Sequence, residues 1–442
     1  MKIILYSITT IIPDHSKSSL CFYPSRKECW DKLTEDYPNH QFIIVCDKYN
    51  EHVLDFKDGQ IGDISHKVSY KYFPVDAEAT EIVEMISDMK ADLVIAYSPP
   101  DIPVDWGYIK ASIIAEQLNN LGIKAICHSI DTSITFADKW RTHCALKELG
   151  FNVTPAVYVH NNFFNLHKTL EFSVNAYREY IFFCIKQLNY PVLIKNTFYC
   201  ASIGMKKANN YNEAVEILTS MENDTDVLVE EYLQGEHFGT EIHGALGKYN
   251  IIPPLKLSVN DDGVVDPFKS IKFGPVLNQE YKILELQDLL RKLAETYKFE
   301  GTAQIDLIFS NGKWYIVDIN PRLSYMTDTI GFAMQQRSSY KVYVDSALGT
   351  TEEFTNAKIK YAINFKVKKL EIDLLDKVNA YPGICQSKMT NTFRQGNFNE
   401  LNDLVLGGYD SKEEAYDDLM NFDKLFPEIV PSHVISTVSK WL

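Results

Sequence analysis

Asp306, Asp318, Asn320 and Arg322 lie together in the stretch 300–327, which reads EGTAQIDLIFSNGKWYIVDINPRLSYMT. Two carboxylates and an amide oxygen suit Mg²⁺, which takes hard oxygen ligands, commonly only one or two carboxylates, and fills its octahedron with water and substrate phosphates. A guanidinium beside such a site would clamp a carboxylate or stabilise transferring phosphoryl oxygens. Whether the four side chains meet depends on the turn between the strand-like runs TAQIDLIF and KWYIVDIN, which flank Ser310-Asn311-Gly312 and read as a β-hairpin. A two-residue Asn311-Gly312 turn would send Asp306 and Asp318 to opposite faces, because side chains alternate with period two. A three-residue loop with Gly312 in the left-handed bulge position would put Asp306, Asp318 and Asn320 on one face, with Gln304 opposite Asp318. The second register is the expectation adopted. An ordinary solvent-facing hairpin also carries polar residues outward, but Asp, Asp, Asn and Arg together favour a site.

Other residues could serve phosphate. In YPVLIKNTFYCASIGMKKANN, Lys195 ends an apolar strand where a bare ammonium would be costly without an anionic partner, which a phosphate would supply. The loop Asn196 to Gly204 carries small residues whose backbone N–H groups could converge on phosphate oxygens. It has one glycine and no Walker lysine-serine pair, so alone it is a weak phosphate-loop signal. Lys139 sits in the first turn of a helix closed by Gly150, where a lysine is ordinarily solvated. Glu230 and Glu231 in DVLVEEYLQGEHFGTEIHGAL are explained as well by a charged edge strand.

The elements that must position these residues follow from hydrophobic pattern. Residues 1 to about 130 alternate short apolar runs (KIILYSI, QFIIVCD, ADLVIAY, KAICH) with helical patterns such as GYIKASIIAEQLNNLG, which implies a mostly parallel sheet covered by helices. There is no G-x-G-x-x-G, so no dinucleotide site is read there. A helical stretch is expected over about 168–188, another over about 279–298 leading into the hairpin, and a third from Thr327 to about Leu348. The last 90 or so residues hold a strand-like KYAINFKV, a Pro382-Gly383 turn and the helix SKEEAYDDLM, with no chemistry evident.

The hairpin closely resembles the metal-binding hairpin of the ATP-grasp superfamily, where an acidic residue on one strand answers an acid-x-Asn on the next. Its VDINPR version is most similar to amino-acid ligase and carboxylase members. CHSIDTSITFADKWRTHCALKELGFNVTPAVYV resembles the start of the ATP-grasp module in D-alanine:D-alanine ligases. The resemblance implies an α/β and α+β ATP-grasp fold with an N-terminal parallel-sheet domain (1–131), a small lobe (132–235), a large lobe with the metal hairpin (236–350) and a C-terminal α/β extension (351–442). It implies ATP between the lobes, with Lys139 and Lys195 on its phosphates, Ser202 and Gly204 in a mobile phosphate-covering loop, and Glu230, Glu231 and Leu233 along the adenine. Tyr199 and Cys200 replace smaller residues usual in that loop. Glu236 is favoured over His237 for the ribose, and Lys272 over Lys256 and Lys269 for the γ-phosphate. Mg²⁺, with Mn²⁺ as the alternative ion, would sit on Asp306, Asp318 and Asn320, and Arg322, Lys272 and Ser202 would act on the reacting groups.

The activity so implied is an ATP-dependent ligase joining a small carboxylate, such as an amino acid, to an amine through an acyl phosphate. Gln304 departs from the arginine that D-alanine:D-alanine ligases carry there to hold substrate carboxylate, and glutamine cannot replace that charge. The resemblance to members ending in N-x-R implies Arg322 for the task. The rival readings are an ATP-grasp carboxylase or other ATP-dependent ligase, and a non-catalytic ATP-binding subunit, which would be expected to have lost a metal ligand.

Composition narrows the partners. The 442 residues suffice for about three domains. A formal charge of −15 opposes a nucleic-acid backbone, so no nucleic acid is expected. Eight cysteines without CxxC spacing read as reduced thiols in a cytoplasmic protein. The opening MKIILYSITTII reads better as a first strand than as a signal peptide, and no apolar run approaches the roughly 18 residues that span a bilayer. Small-molecule substrates are the expected partners, and a homodimer is compatible with the sequence.

Overall fold

The computed structural model describes residues 1–10, 22–57, 59–100, 104–166, 174–221, 225–266, 269–324, 326–351, 359–394 and 397–442. The first apolar runs become the centre of a five-stranded parallel sheet in the order Ser69–Tyr72, Gln41–Cys46, Lys2–Ser7, Leu93–Ala96, Ala125–Ile126. They are apolar at nearly every position because both faces are covered. Helices Ala79–Asp88 and Gly107–Asn120 pack Ile82, Ile86, Ile114 and Leu118 onto Ile4 and Tyr6. On the opposite face Ile3 and Leu5 meet helix Arg26–Asp36 and helix Ser339–Leu348, whose Trp30 and Tyr340 rings stack 3.6 Å apart. The second of these helices comes from the far side of the chain, so the N-terminal sheet is bound to the lobe carrying the hairpin.

The small antiparallel sheet orders Lys206–Ala208, Val192–Asn196, Val227–Glu231 and Ala156–Val159, backed by helices Ala176–Ile185 and Tyr211–Ser220. Residues 167–173, part of the helix expected over 168–188, lie outside the described residues. Helices Ile130–Ala137 and Lys139–Glu148 precede this sheet in sequence. Their Phe136 and Leu146 nevertheless pack with Leu290, Leu293, Ile305 and Ile319 of the large lobe, so the segment grouped in sequence as 132–235 divides its core contacts between two lobes.

The large sheet runs Lys313–Asn320, Gly301–Ser310, Glu236–Ala245, Leu255–Leu257, Lys272–Gly274, Tyr361–Lys368, Asn397–Tyr409, Ile384–Arg394, Phe22–Tyr23, with Lys248–Ile251 pairing the Glu236–Ala245 strand. The segment after 350 is therefore continuous with the lobe before it: Lys272 pairs Asn364 and Phe273 pairs Ile363. One face of these last strands is apolar and covered by helices Lys412–Leu425 and Ser432–Ser439. The other face points into the molecule and combines Ala362 and Val405, packed with Ile330 and Met334, with the buried polar side chains Asn364, Lys366, Lys388 and Asp403. No helix among the described residues is long and apolar enough to cross a membrane. The cysteines of the described residues are free thiols.

Candidate active site

The hairpin achieves its shared face by a different route from the three-residue loop expected. Ser310 pairs Lys313, leaving a two-residue turn in which Asn311 (φ 51°) and Gly312 (φ 71°) are both left-handed, as a type I′ turn requires. That register alone would separate the aspartates. One extra residue, Val317, sits unpaired between the pairs Leu307↔Ile316 and Asp306↔Asp318, and this bulge resets the alternation. Asp306 and Asp318 become direct cross-strand partners, and Gln304 faces Asn320 rather than Asp318.

These side chains end in a cavity of about 230 Å³ lined by Asp306, Asp318, Asn320, Arg322, Lys139 and Lys195, among others. Burial, then the Asp318 carboxylate, pushes Asp306 up to about 6. Two facing carboxylates and a nearby amide oxygen form a like-charge contact that a divalent cation relieves, so this donor set fits Mg²⁺. No three His, Cys, Asp or Glu side chains gather as a metal site among the described residues, so the set depends on the Asn320 amide. Lys139 Nζ stands 3.1 Å from Asp318 Oδ2. Burial acts to lower the lysine, and the Asp318 charge and hydrogen bond outweigh it, so its ammonium is raised.

Arg322 lies two residues beyond the strand end and is 95 % buried. Its Nη1 donates to Gln304 Oε1 at 2.7 Å and its Nη2 to Asn320 Oδ1 at 3.2 Å, while Gln304 Nε2 donates to Asp306 Oδ1 at 3.0 Å. Gln304 thus links the arginine to the carboxylate pair. The guanidinium is anchored from the N-terminal domain by Asp105, a lone loop acid with no motif to announce it.

Lys195 has its anionic partner within the protein: Nζ lies 2.6 Å from Glu230 Oε1, since both project from neighbouring antiparallel strands. Glu231 also lines the cavity, while its carboxylate accepts from the Asn189 backbone N–H and side chain. Leu233 lines the cavity. Glu236 does not: strand alternation aims it outward, where it pairs with Lys256 and accepts from Tyr281 Oη. His237, one residue on, lines the cavity instead, and burial lowers it to about 4.

The loop at 196–204 roofs the cavity. Tyr199 bridges Val104 of the N-terminal domain, and Ser202 Oγ donates to the Val265 carbonyl at 3.1 Å, so the loop touches both sides. Ala201, Ser202 and Gly204 all have φ between 55° and 73°. Asn196 Oδ1 and Thr197 Oγ1 beneath it are buried without a hydrogen-bond partner, two polar atoms that the sequence does not single out. Of the three γ-phosphate candidates, Lys272 lines the cavity, Lys269 is exposed and Lys256 is tied to Glu236.

A small antiparallel lobe and a large one enclosing a lysine-lined cavity over an acidic hairpin are the arrangement of the ATP-grasp fold. Residues 146–341, less than half of the chain, match the family model "D-ala D-ala ligase C-terminus". In structure it is similar over 96 % of its length to 97 % of an L-amino acid ligase from Bacillus licheniformis (TM-score 0.62, 13 % identity). It is also similar over 98 % of its length to the whole N5-carboxyaminoimidazole ribonucleotide synthetase from Thermus thermophilus (TM-score 0.63, 12 % identity). In sequence it is 27 % identical over 142 residues to the carbamoyl phosphate synthase large chain of Lachnoclostridium phytofermentans, which is 31 % of this chain and 13 % of that protein's length.

Proposed function

We propose that the chain is an ATP-dependent carboxylate–amine ligase that makes an amide bond through an acyl phosphate, releasing ADP and phosphate, with an amino acid as one substrate. The observation that carries the reading is the Asp306–Asp318 pair, set beside Asn320 and Arg322 at a cavity whose walls present Lys139 and Lys195. A non-catalytic subunit would be expected to lack one of these oxygens, and all three line the cavity.

Asp306, Asp318 and Asn320 would hold Mg²⁺, with Mn²⁺ as the alternative, and the ion when bound neutralises charge on the phosphoryl oxygens. Lys139 and Lys195, held in place by Asp318 and Glu230, orient the nucleotide phosphates. Arg322 directs the carboxylate, one oxygen of which bonds to the γ-phosphorus as the bond to the β-phosphate oxygen breaks. The amine then attacks the acyl carbon and phosphate leaves. Such chemistry asks mainly for positioning and charge neutralisation. The 196–204 loop keeps water from the acyl phosphate.

The test is phosphate release from ATP and Mg²⁺ over a panel of amino acids, alone and in pairs. One pair should stimulate release and yield an amide, and Asp318→Ala should lower that rate on the order of 100-fold. Unaltered turnover in the variant, or no stimulation by any pair, would sink the proposal.

A further inference from the structure

The buried polar cluster on the inner face of the C-terminal strands is the unexplained feature of the molecule. Lys366 and Lys388 are both cross-strand partners of Asp403, and Lys272 partners Asn364 one strand over. All of them are at least 92 % buried. Lys272 Nζ donates to Asn364 Oδ1 at 2.5 Å, and Asn364 Nδ2 donates to Asp403 Oδ1. Lys366 and Lys388 lie 3.6 and 3.9 Å from the two Asp403 oxygens. Arg26, from the N-terminal domain, stands 3.8 Å from Asp328 next to them. Four buried basic side chains, Lys272, Lys366, Lys388 and Arg26, therefore gather around Asp403 and Asp328. Glu241, another buried acid of this lobe, is spent on His243, Ser324 and Thr327.

A buried cluster with surplus positive charge is unfavourable unless an anion enters it. Three buried atoms here also lack a hydrogen bond: Gln386 Oε1, Ser270 Oγ and Lys366 Nζ, whose contact with Asp403 is the 3.6 Å ion pair. Burial first, then the neighbouring Lys366 ammonium, drives Lys272 well below the usual lysine range. Ser270 and Lys272 line the cavity, as do Arg322 and Ser324, so the cluster adjoins the space next to the reacting centre. Of the three lysines Lys272 lines the cavity, and the C-terminal strands adjoin it through the Lys272–Asn364 pair and the neighbouring Lys366.

We propose that Lys272, Lys366 and Lys388 form an oxyanion pocket that holds a second acidic group of the substrate, a carboxylate or phosphate ester beyond the carboxylate that reacts. The inference rests on the ligase reading and names its substrate class: an acidic or phosphorylated amino acid in place of a neutral one. Lys366 and Lys388, supplied by the C-terminal strands, then select the substrate while Arg322 orients the reacting carboxylate.

The test combines three measurements on wild type and Lys366→Met. Malonate and inorganic phosphate, added without nucleotide, should raise the melting temperature of wild type and leave the variant unmoved. In phosphate release, L-aspartate, L-glutamate or O-phospho-L-serine should outperform L-alanine, and Lys366→Met should raise KM for the preferred compound about ten-fold or more. Affinity for a fluorescent ADP should stay within about two-fold, which separates this pocket from a γ-phosphate contact. The carboxylate and phosphate arms identify which oxyanion is bound. A preference for L-alanine, or an unchanged KM in the variant, overturns the inference. If no panel member supports turnover, the ligase reading falls, and the pocket is judged by the melting shift alone: no Lys366-dependent shift with either anion overturns it. Should Lys366→Met not fold, Lys388→Gln takes its place in all three measurements.

Discussion

Arg322 Nε donates to Asp105 Oδ2 at 2.5 Å, across 217 residues of sequence and between the N-terminal domain and the metal-type hairpin. Both side chains are about 94 to 95 % buried, so the pair lies away from solvent screening. Removing one partner of such a pair leaves an uncompensated charge and costs about 3–5 kcal/mol.

Asp105→Asn should therefore lower the melting temperature and also free the guanidinium from its anchor. The expected kinetic signature is a raised KM for the carboxylate substrate with little change in ADP affinity. Lower stability with an unaltered kcat/KM would mean that Asp105 only ties the domains together.

How far the hairpin is legible in sequence, and where it is not, follows from this geometry. Residue types at 306, 318, 320 and 322 single out side chains that the structure brings to one cavity, and the apolar runs of residues 2–7, 41–46 and 93–96 announce a parallel sheet because both of its faces are buried. The bulge at Val317 leaves no mark, since a β-branched residue fits a regular strand as well as a bulged one. Asp105 is invisible because its partner is 217 residues away. The long strands Ile384–Arg394 and Asn397–Tyr409 escape notice for a related reason: their inward face carries Gln386, Lys388 and Asp403, so a buried surface reads as a solvated one. The sequence favours Glu236 over His237 for the ribose, whereas His237 is the one that lines the cavity, because one residue of register reverses which side chain faces inward.

Gly204 controls the roof of the cavity. At φ 73° an added Cβ would sit 3.0 Å from Asn196 Nδ2, so Gly204→Ala combines backbone strain with displacement of a residue that lines the cavity. The left-handed conformation alone costs a non-glycine residue about 1–2 kcal/mol. The expected result is a KM for ATP raised roughly 5- to 30-fold with a melting temperature close to wild type, since the strain falls on a loop. Identical kinetics would exclude this loop from nucleotide binding.

His128 couples acid sensitivity to domain docking. Its Nε2 faces the Thr302 carbonyl at 2.9 Å and its Nδ1 accepts from the Glu300 N–H at 3.1 Å, which assigns the Nε2–H neutral tautomer. Burial lowers the ring from 6.5 to about 4, and His52 is lowered by burial to about 3. Because the folded state binds its proton less readily than the unfolded chain, the stabilising contribution is present above pH 6.5 and is lost as pH falls toward about 4. His128 accounts for up to about 3 kcal/mol of this loss, and His52, whose window runs on to about pH 3, for up to about 5 kcal/mol. Urea midpoints should fall steeply across that window, and His128→Gln should flatten the slope while lowering the midpoint at pH 7.5. A wild-type midpoint constant from pH 7 to 4.5 would contradict the assignment.

Glu236 and His237 offer a direct test of which face of one strand meets the nucleotide. Glu236 points outward to Lys256 and Tyr281, an exposed arrangement of the kind that contributes between nothing and about 1 kcal/mol. His237 is half-buried against the cavity wall and is neutral at physiological pH, with burial holding it near 4, so it can offer the nucleotide a hydrogen bond without a charge. Loss of one such bond costs about 0.5–1.5 kcal/mol. Titration with a fluorescent ADP should give Glu236→Gln an affinity close to wild type and His237→Leu one weaker by roughly 2- to 10-fold. The reverse order would mean that the strand rotates its Glu236 face inward when nucleotide binds, and the outward pairing with Lys256 would then belong to the nucleotide-free protein alone.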